Sequence, residues 1–212
     1  MAKHDRAALT DIQNASLEDL QSYYDGWSEA YDVDLAAMGY QAPQVAARIL
    51  AEYELARTAP ILDVGCGTGL TGQALGREGF EHITGLDLSQ VSLERAKAKG
   101  CYQELCACDI NQPLPLADRQ FAAAQCIGTL TYVRDVSPFM RELCRVVQPG
   151  GLILFTHRKD LYGDAFQAAL DTVSAQGLWA LVHHSEPQPY LPNYKAFDDA
   201  QDIYYDLYRA AG

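Results

Sequence analysis

Ile61-Leu62-Asp63-Val64-Gly65-Cys66-Gly67-Thr68-Gly69 is a short apolar run that stops at three alternating glycines. The run reads as a buried strand and the glycines as the loop that leads into a helix. A ligand bearing a carboxylate or phosphate reaches backbone only where side chains are absent, and the amides at the next helix start then face it. The glycines alone leave two cofactor classes open. Gly67-x-Gly69-x-x-Gly72 also spells the dinucleotide fingerprint, and Asp87 follows Gly69 at a spacing near the ~20 residues expected of a ribose-binding acid. Asp63 separates the readings: a carboxylate inside the strand is costly unless it meets a ligand or backbone donors. A cofactor with an ammonium group and no pyrophosphate suits it better than a nicotinamide dinucleotide.

Outward from this loop, short apolar runs alternate with amphipathic stretches, the pattern of a parallel sheet covered by helices. Strands are expected at 61–64, 83–88, 104–108, 122–127, 152–156, 179–184 and 203–208, with helices near 70–78, 89–99, 136–147 and 163–176. The Pro-rich stretch Pro187-Gln-Pro189-Tyr-Leu-Pro192 leads to an alternating last strand, which fits an antiparallel hairpin at one sheet edge. Val146-Val-Gln148-Pro149-Gly150-Gly151 reads as a helix stop before a buried strand.

Upstream, residues 1–57 read as helical. Ser16-x-x-Asp19 is a capping signal, Gly26 and Gly39 are expected breaks, and Pro43 suits the first turn of another helix whose apolar face carries Val45, Ile49 and Tyr53. Tyr24, Trp27 and Tyr31 share one helix face, which packs on the sheet or closes over a ligand.

The chain of 212 residues, 49% hydrophobic, suits one core and one domain. Its 16 Lys and Arg against 28 Asp and Glu give a formal charge of −12, which argues against nucleic acid as a partner and for a small-molecule substrate. No window reaches the ~18 apolar residues of a membrane span, so no membrane association and a cytoplasmic setting are expected. The six cysteines fall mostly in apolar segments and read as reduced core thiols. Cys106-x-Cys108 has no second pair, so no metal is expected.

Asp63-Val-Gly65-Cys66-Gly67-Thr-Gly69 resembles motif I of class I S-adenosylmethionine-dependent methyltransferases. Further matches follow in order: Gly85-Leu-Asp87-Leu88, Asp109-Ile110, and the Pro149-Gly150-Gly151 corner. The resemblance implies a Rossmann-like, doubly wound, mostly parallel seven-stranded α/β sheet with an antiparallel edge strand. An N-terminal helical lid (1–57) and a methyltransferase domain (58–212) would form one structural unit.

It also implies S-adenosyl-L-methionine as cofactor. Asp87 would hold the ribose hydroxyls, Leu88 would lie against adenine, and Asp109 and the Ile110 amide would face the adenine edge. Asp63, Gly65, Cys66, Gly67 and Cys126 would complete the site, with Tyr24 and Tyr31 closing over it. A closer resemblance is to the methyltransferase-like proteins named for Williams-Beuren syndrome chromosome region 27. It rests on Tyr24-Asp25-Gly26-Trp27, Tyr31-Asp32, Tyr40-Gln-Ala42-Pro43 and Gly100-Cys-Tyr102-Gln-Glu-Leu105.

Tyr132, His157 and Arg158 follow strands at the edge where ligands bind in such sheets, and are candidates for the substrate side. His157 is the one candidate base, although a structural histidine is the favoured reading there. The expected reaction is methyl transfer to a small molecule. The alternatives are a cofactor-binding protein that acts through a partner and, behind it, a nicotinamide oxidoreductase.

Overall fold

The computed structural model describes residues 16–212, so the expectation of helix before Ser16 lies outside the described residues. The chain runs α1 (Leu17–Ala37), α2 (Ala42–Glu52), β1 (Ile61–Val64), α3 (Leu70–Arg77), β2 (Ile83–Asp87), α4 (Gln90–Ala98) and β3 (Glu104–Ala107). It continues through β4 (Phe121–Cys126), α5 (Val136–Val146), β5 (Val147–Arg158), α6 (Asp164–Ala175), β6 (Trp179–His184) and β7 (Ile203–Ala210). All seven expected strands form, in the order β3-β2-β1-β4-β5-β7-β6. The first five pair in parallel, and β7 runs antiparallel to both β5 and β6.

The strand order reverses between β1 and β4, and the loops leaving the carboxyl ends of these strands open a crevice there. Strand alternation sends Leu62 and Val64 to one face of the sheet, where Phe139, Met140, Leu143 and Val146 of α5 and Phe166 and Leu170 of α6 cover them. Ile61 faces the other way, toward Ala46, Ala47 and Leu50 of α2 and Ala74 and Leu75 of α3.

Ser16 caps α1 as its sequence signals: its Oγ accepts from the Asp19 amide at 3.1 Å and the Asp19 carboxylate accepts from the Ser16 amide at 3.4 Å. Gly26 does not break this helix, which runs on to Ala37, whereas Gly39 does lie just beyond its end. The reason is tertiary: α1 packs on the rest of the molecule through Trp27 and Leu35, which outweighs the roughly 1 kcal/mol that one interior glycine costs a helix. In α2 the expected face is displaced. Pro43, Ala46, Ala47 and Leu50 are buried, and Val45, Ile49 and Tyr53 sit half-buried on the flank, because small residues let this helix approach the sheet closely.

The helix stop at Val146 is observed, but β5 begins at once. Residues 148–151 bulge out of its pairing with β4, with Gly150 at φ +78°. The cysteines depart from the expectation of core thiols. Cys66 and Cys126 are buried, Cys101, Cys108 and Cys144 are half-buried, and Cys106 is exposed because β3 is an edge strand. None of the described helices is long and apolar enough to cross a membrane.

Candidate active site

Loops leaving β1, β2, β3 and β4 enclose a cavity of about 140 Å³, and α1 forms its roof. Gly65 to Thr68, Asp87 to Ser89, Asp109 to Asn111 and Ile127 to Thr129 line it from below. Tyr24, Ser28 and Tyr31 line it from α1, with Tyr40 and Tyr132 at its sides. The structure thus brings ten of the sequence candidates to one cavity: Tyr24, Tyr31, Gly65, Cys66, Gly67, Asp87, Leu88, Asp109, Ile110 and Tyr132.

Gly67 sits at φ +51°, where a side chain is strained, and a Cβ built on it would meet nothing within 4 Å. The loop therefore offers bare backbone to a ligand. Asp87 closes the loop: its Oδ2 accepts from the Gly67 amide at 2.8 Å and its Oδ1 from the Ser89 amide at 2.9 Å. Burial pushes its carboxyl up from the ordinary range, against the lowering effect of these amides. Capping of α4 falls to Ser89, whose Oγ accepts from the Ser92 amide. Asp109 holds its own loop, accepting from the Asn111 amide at 2.9 Å and the Asn111 side chain at 3.1 Å.

Asp63 lies beneath this cavity rather than in its wall. It is fully buried, and its Oδ2 accepts from Thr71 Oγ1 and Tyr102 OH, each at 2.6 Å, while its Oδ1 accepts from Gln125 Nε2 at 3.1 Å. Read in the sequence as a carboxylate for a ligand, Asp63 stands outside the cavity wall, and side chains of α3, β4 and the segment before β3 supply donors that offset its desolvation. Burial still pushes its carboxyl up.

Tyr102 enters this network through a slot of glycines. Cβ atoms built on Gly72, Gly85 and Gly69 would approach its ring atoms to 2.3, 2.9 and 3.1 Å. Gly72, which completes the dinucleotide-like spelling in the sequence, makes room for the tyrosine and donates its amide to Tyr102 OH at 2.9 Å. Cys126, read for the same site, also stands outside the cavity wall: it is fully buried in the core beside Ala124, on the face of β4 that α5 covers.

Asp32, Asp25 and Tyr24 tie α1 to the loops beneath it. Asp32 accepts from Thr68 Oγ1 and pairs with Lys99 Nζ, each at 2.5 Å; Ser89 Oγ donates to Asp25; and the hydroxyls of Tyr24 and Tyr132 are bonded. Burial raises the Tyr24 and Tyr31 phenols well above their usual range, so both stay neutral. Trp27 is core, as expected, with its Nε1 donating to Asp34 at 2.8 Å.

His157 and Arg158 line a second cavity, not the first. The His157 ring is 7% exposed and stacks on Phe166 at 4.1 Å, and burial lowers its pKa from 6.5 to about 4. It is neutral near pH 7 in the folded protein, whereas the unfolded chain takes up its proton below pH 6.5. Stability should therefore fall as pH drops from 6.5 toward 4, by about 3 kcal/mol from this group. Urea titrations across that window should show a flatter profile for His157→Phe than for the parent; equal slopes would remove His157 as the cause.

Sequence reasoning missed Ser28, Tyr40, Asn111 and Thr129 in the cavity wall, and Tyr102 beneath it. Asn111, two residues after a loop aspartate, carried a readable turn signal. The others come together only through chain crossings.

The chain carries a methyltransferase domain of the class I, S-adenosylmethionine-dependent type. The family model described as "Methyltransferase domain" matches residues 62–155. Human methyltransferase-like protein 27 is 37% identical over 164 residues, covering 74% of this chain and 66% of that protein. The malonyl-[acyl-carrier protein] O-methyltransferase of Pseudescherichia vulneris is 37% identical over 113 residues, 53% of this chain and 44% of its own length. The chain thus spans just under two thirds of the human relative and less than half of the bacterial one. Among solved structures, a TehB-like SAM-dependent methyltransferase from Corynebacterium glutamicum shares the fold with a TM-score of 0.67. It is 19% identical and covers 89% of this chain and 98% of its own.

Proposed function

We propose that this chain transfers the methyl group of S-adenosylmethionine to a small-molecule acceptor. The observation that carries this reading is the cavity where bare backbone at Gly67, the Asp87 and Asp109 carboxylates and the α1 tyrosines converge. The residues fit the cofactor. Both Asp87 oxygens keep lone pairs for two ribose hydroxyls beyond the amides they already accept, and Leu88 flanks the adenine position. Asp109 and the Ile110 amide would meet the adenine edge, and the segment Gly65 to Gly67 would face the amino-acid end. An acid-rich wall with Tyr24 and Tyr31 rings suits a cationic sulfur.

Bound there, S-adenosylmethionine would supply a methyl activated by positive sulfur, to be displaced by the acceptor's lone pair, with any proton on the acceptor atom lost to bulk solvent as the product leaves. The protein's task is alignment and exclusion of water rather than proton transfer, in keeping with a neutral His157 outside the cofactor cavity. Methyl-labelled S-adenosylmethionine added with the protein to a cell-extract metabolite pool should yield a labelled small molecule. Label recovered only in protein or nucleic acid, or no transfer despite S-adenosylhomocysteine binding, would overturn the reading.

In this reading α1, within the N-terminal segment, acts as the lid, while α2 packs into the core. Asp32→Ala releases the links to Thr68 and Lys99. It should raise the Kd for S-adenosylhomocysteine about three- to tenfold, the scale of a part-exposed ion pair with a hydrogen bond. An unchanged Kd in calorimetry would count against the lid.

A further inference from the structure

The second cavity abuts the first. The two share Tyr24, Tyr31, Gly128 and Tyr132 as a common wall, and beyond that wall the second is enclosed by Trp27, Tyr190 and Phe197 with aliphatic side chains between them. With α1 seated it is the smaller of the two cavities. Among the described residues its wall carries no uncompensated charge. Arg158 lies over Phe197 at 5.3 Å and is held in a two-point pair by Asp160, Nε to Oδ1 at 2.9 Å and Nη2 to Oδ2 at 2.5 Å. His157 is neutral near pH 7 for the reason given above, and the Thr156 hydroxyl accepts from the Gly128 amide at 2.8 Å.

From this geometry we infer that the second cavity is the acceptor chamber and that it takes an uncharged, flat aromatic molecule of one or two rings. The inference rests on the proposed methyl transfer. Rings of Trp27, Tyr190 and Phe197 favour a planar partner through face and edge contacts. An anionic acceptor would lose its hydration without gaining a free cation, because the Arg158 guanidinium in the wall is already neutralised by Asp160. The shared wall borders the sulfonium position on one side and such an acceptor on the other, and the bond between the Tyr24 and Tyr132 hydroxyls opens for the direct in-line contact that methyl transfer needs.

The test is calorimetry on protein saturated with S-adenosylhomocysteine, using three probes of one skeleton: 2-naphthol (flat and neutral), 2-naphthoate (flat and anionic) and decahydro-2-naphthol (neutral and not flat). 2-Naphthol should bind at least tenfold tighter than either of the others. Phe197→Ala and the milder Phe197→Leu, both checked for folding by circular dichroism, should each weaken it, the former at least fivefold. Equal affinity for the three probes, preference for naphthoate, or indifference to both Phe197 variants would overturn the inference. Failure of S-adenosylhomocysteine itself to bind would instead strike the proposed function, so the two failures are told apart within one experiment.

Discussion

Asp87→Ala should raise the Kd for S-adenosylhomocysteine about 100-fold in calorimetry, a loss of about 3 kcal/mol. Two effects combine. The direct one is loss of a charged acceptor for both ribose hydroxyls. The second acts through the loop: the Gly67 and Ser89 amides lose the carboxylate that orients them, so the bare backbone at Gly67 is no longer fixed toward the ligand. Because burial raises the Asp87 carboxyl and hydroxyl donors favour its ionised form, affinity in the parent should also fall as pH drops toward the Asp87 pKa. A Kd within twofold of the parent would show that the ribose lies elsewhere.

Asp63 should behave in the opposite way, with a large effect on stability and a small one on the cofactor. Asp63→Ala leaves the Thr71 hydroxyl, the Tyr102 hydroxyl and the Gln125 amide without their acceptor at a fully buried position. The expected cost is about 3 kcal/mol, read as a lower urea midpoint. Asp63→Asn should cost about 1 kcal/mol or less. The Gln125 Oε1 has no hydrogen-bond partner among the described residues, so turning the Gln125 amide offers an acceptor to the side-chain NH₂ that this substitution introduces, while the introduced carbonyl keeps both hydroxyls. The same variant separates a scaffold from a ligand contact. If Asp63 only supports the loop, Asp63→Asn leaves the S-adenosylhomocysteine Kd within about threefold; if it met the cofactor ammonium, removing its charge would cost roughly tenfold or more. Equal destabilisation by the two variants would refute the role assigned to Gln125.

The acceptor chamber gives these variants a context. Its wall comes from α1, from the loop after β4, from the end of β5, from the segment before β7 and from Ile203 at the start of β7, stretches that only the fold brings together. Of the candidates read for the substrate side, Tyr132 stands between the two cavities, while His157 and Arg158 belong to the second alone. His157 reached this position because β5 alternates and turns the ring onto Phe166 of α6, where burial keeps it neutral.

All seven strands were legible in the chain, although β5 starts five residues before its expected start; the central parallel strands β1, β2, β4 and β5 were the plainest, since buried parallel strands must be continuous apolar runs and their helices must be amphipathic. The loop with bare backbone and the acids at the ends of β2 and β3 were equally legible, because these are local signals of composition and spacing. The role of Asp63 was not. Its neighbours Thr71, Tyr102 and Gln125 lie on three separate segments, and a one-dimensional pattern shows that a buried carboxylate needs donors without showing which ones arrive. Gly72 follows the same rule. Its spelling suggested a cofactor turn, but the side chain it makes room for is Tyr102, because α3 and the chain before β3 cross there at a distance that no Cβ allows.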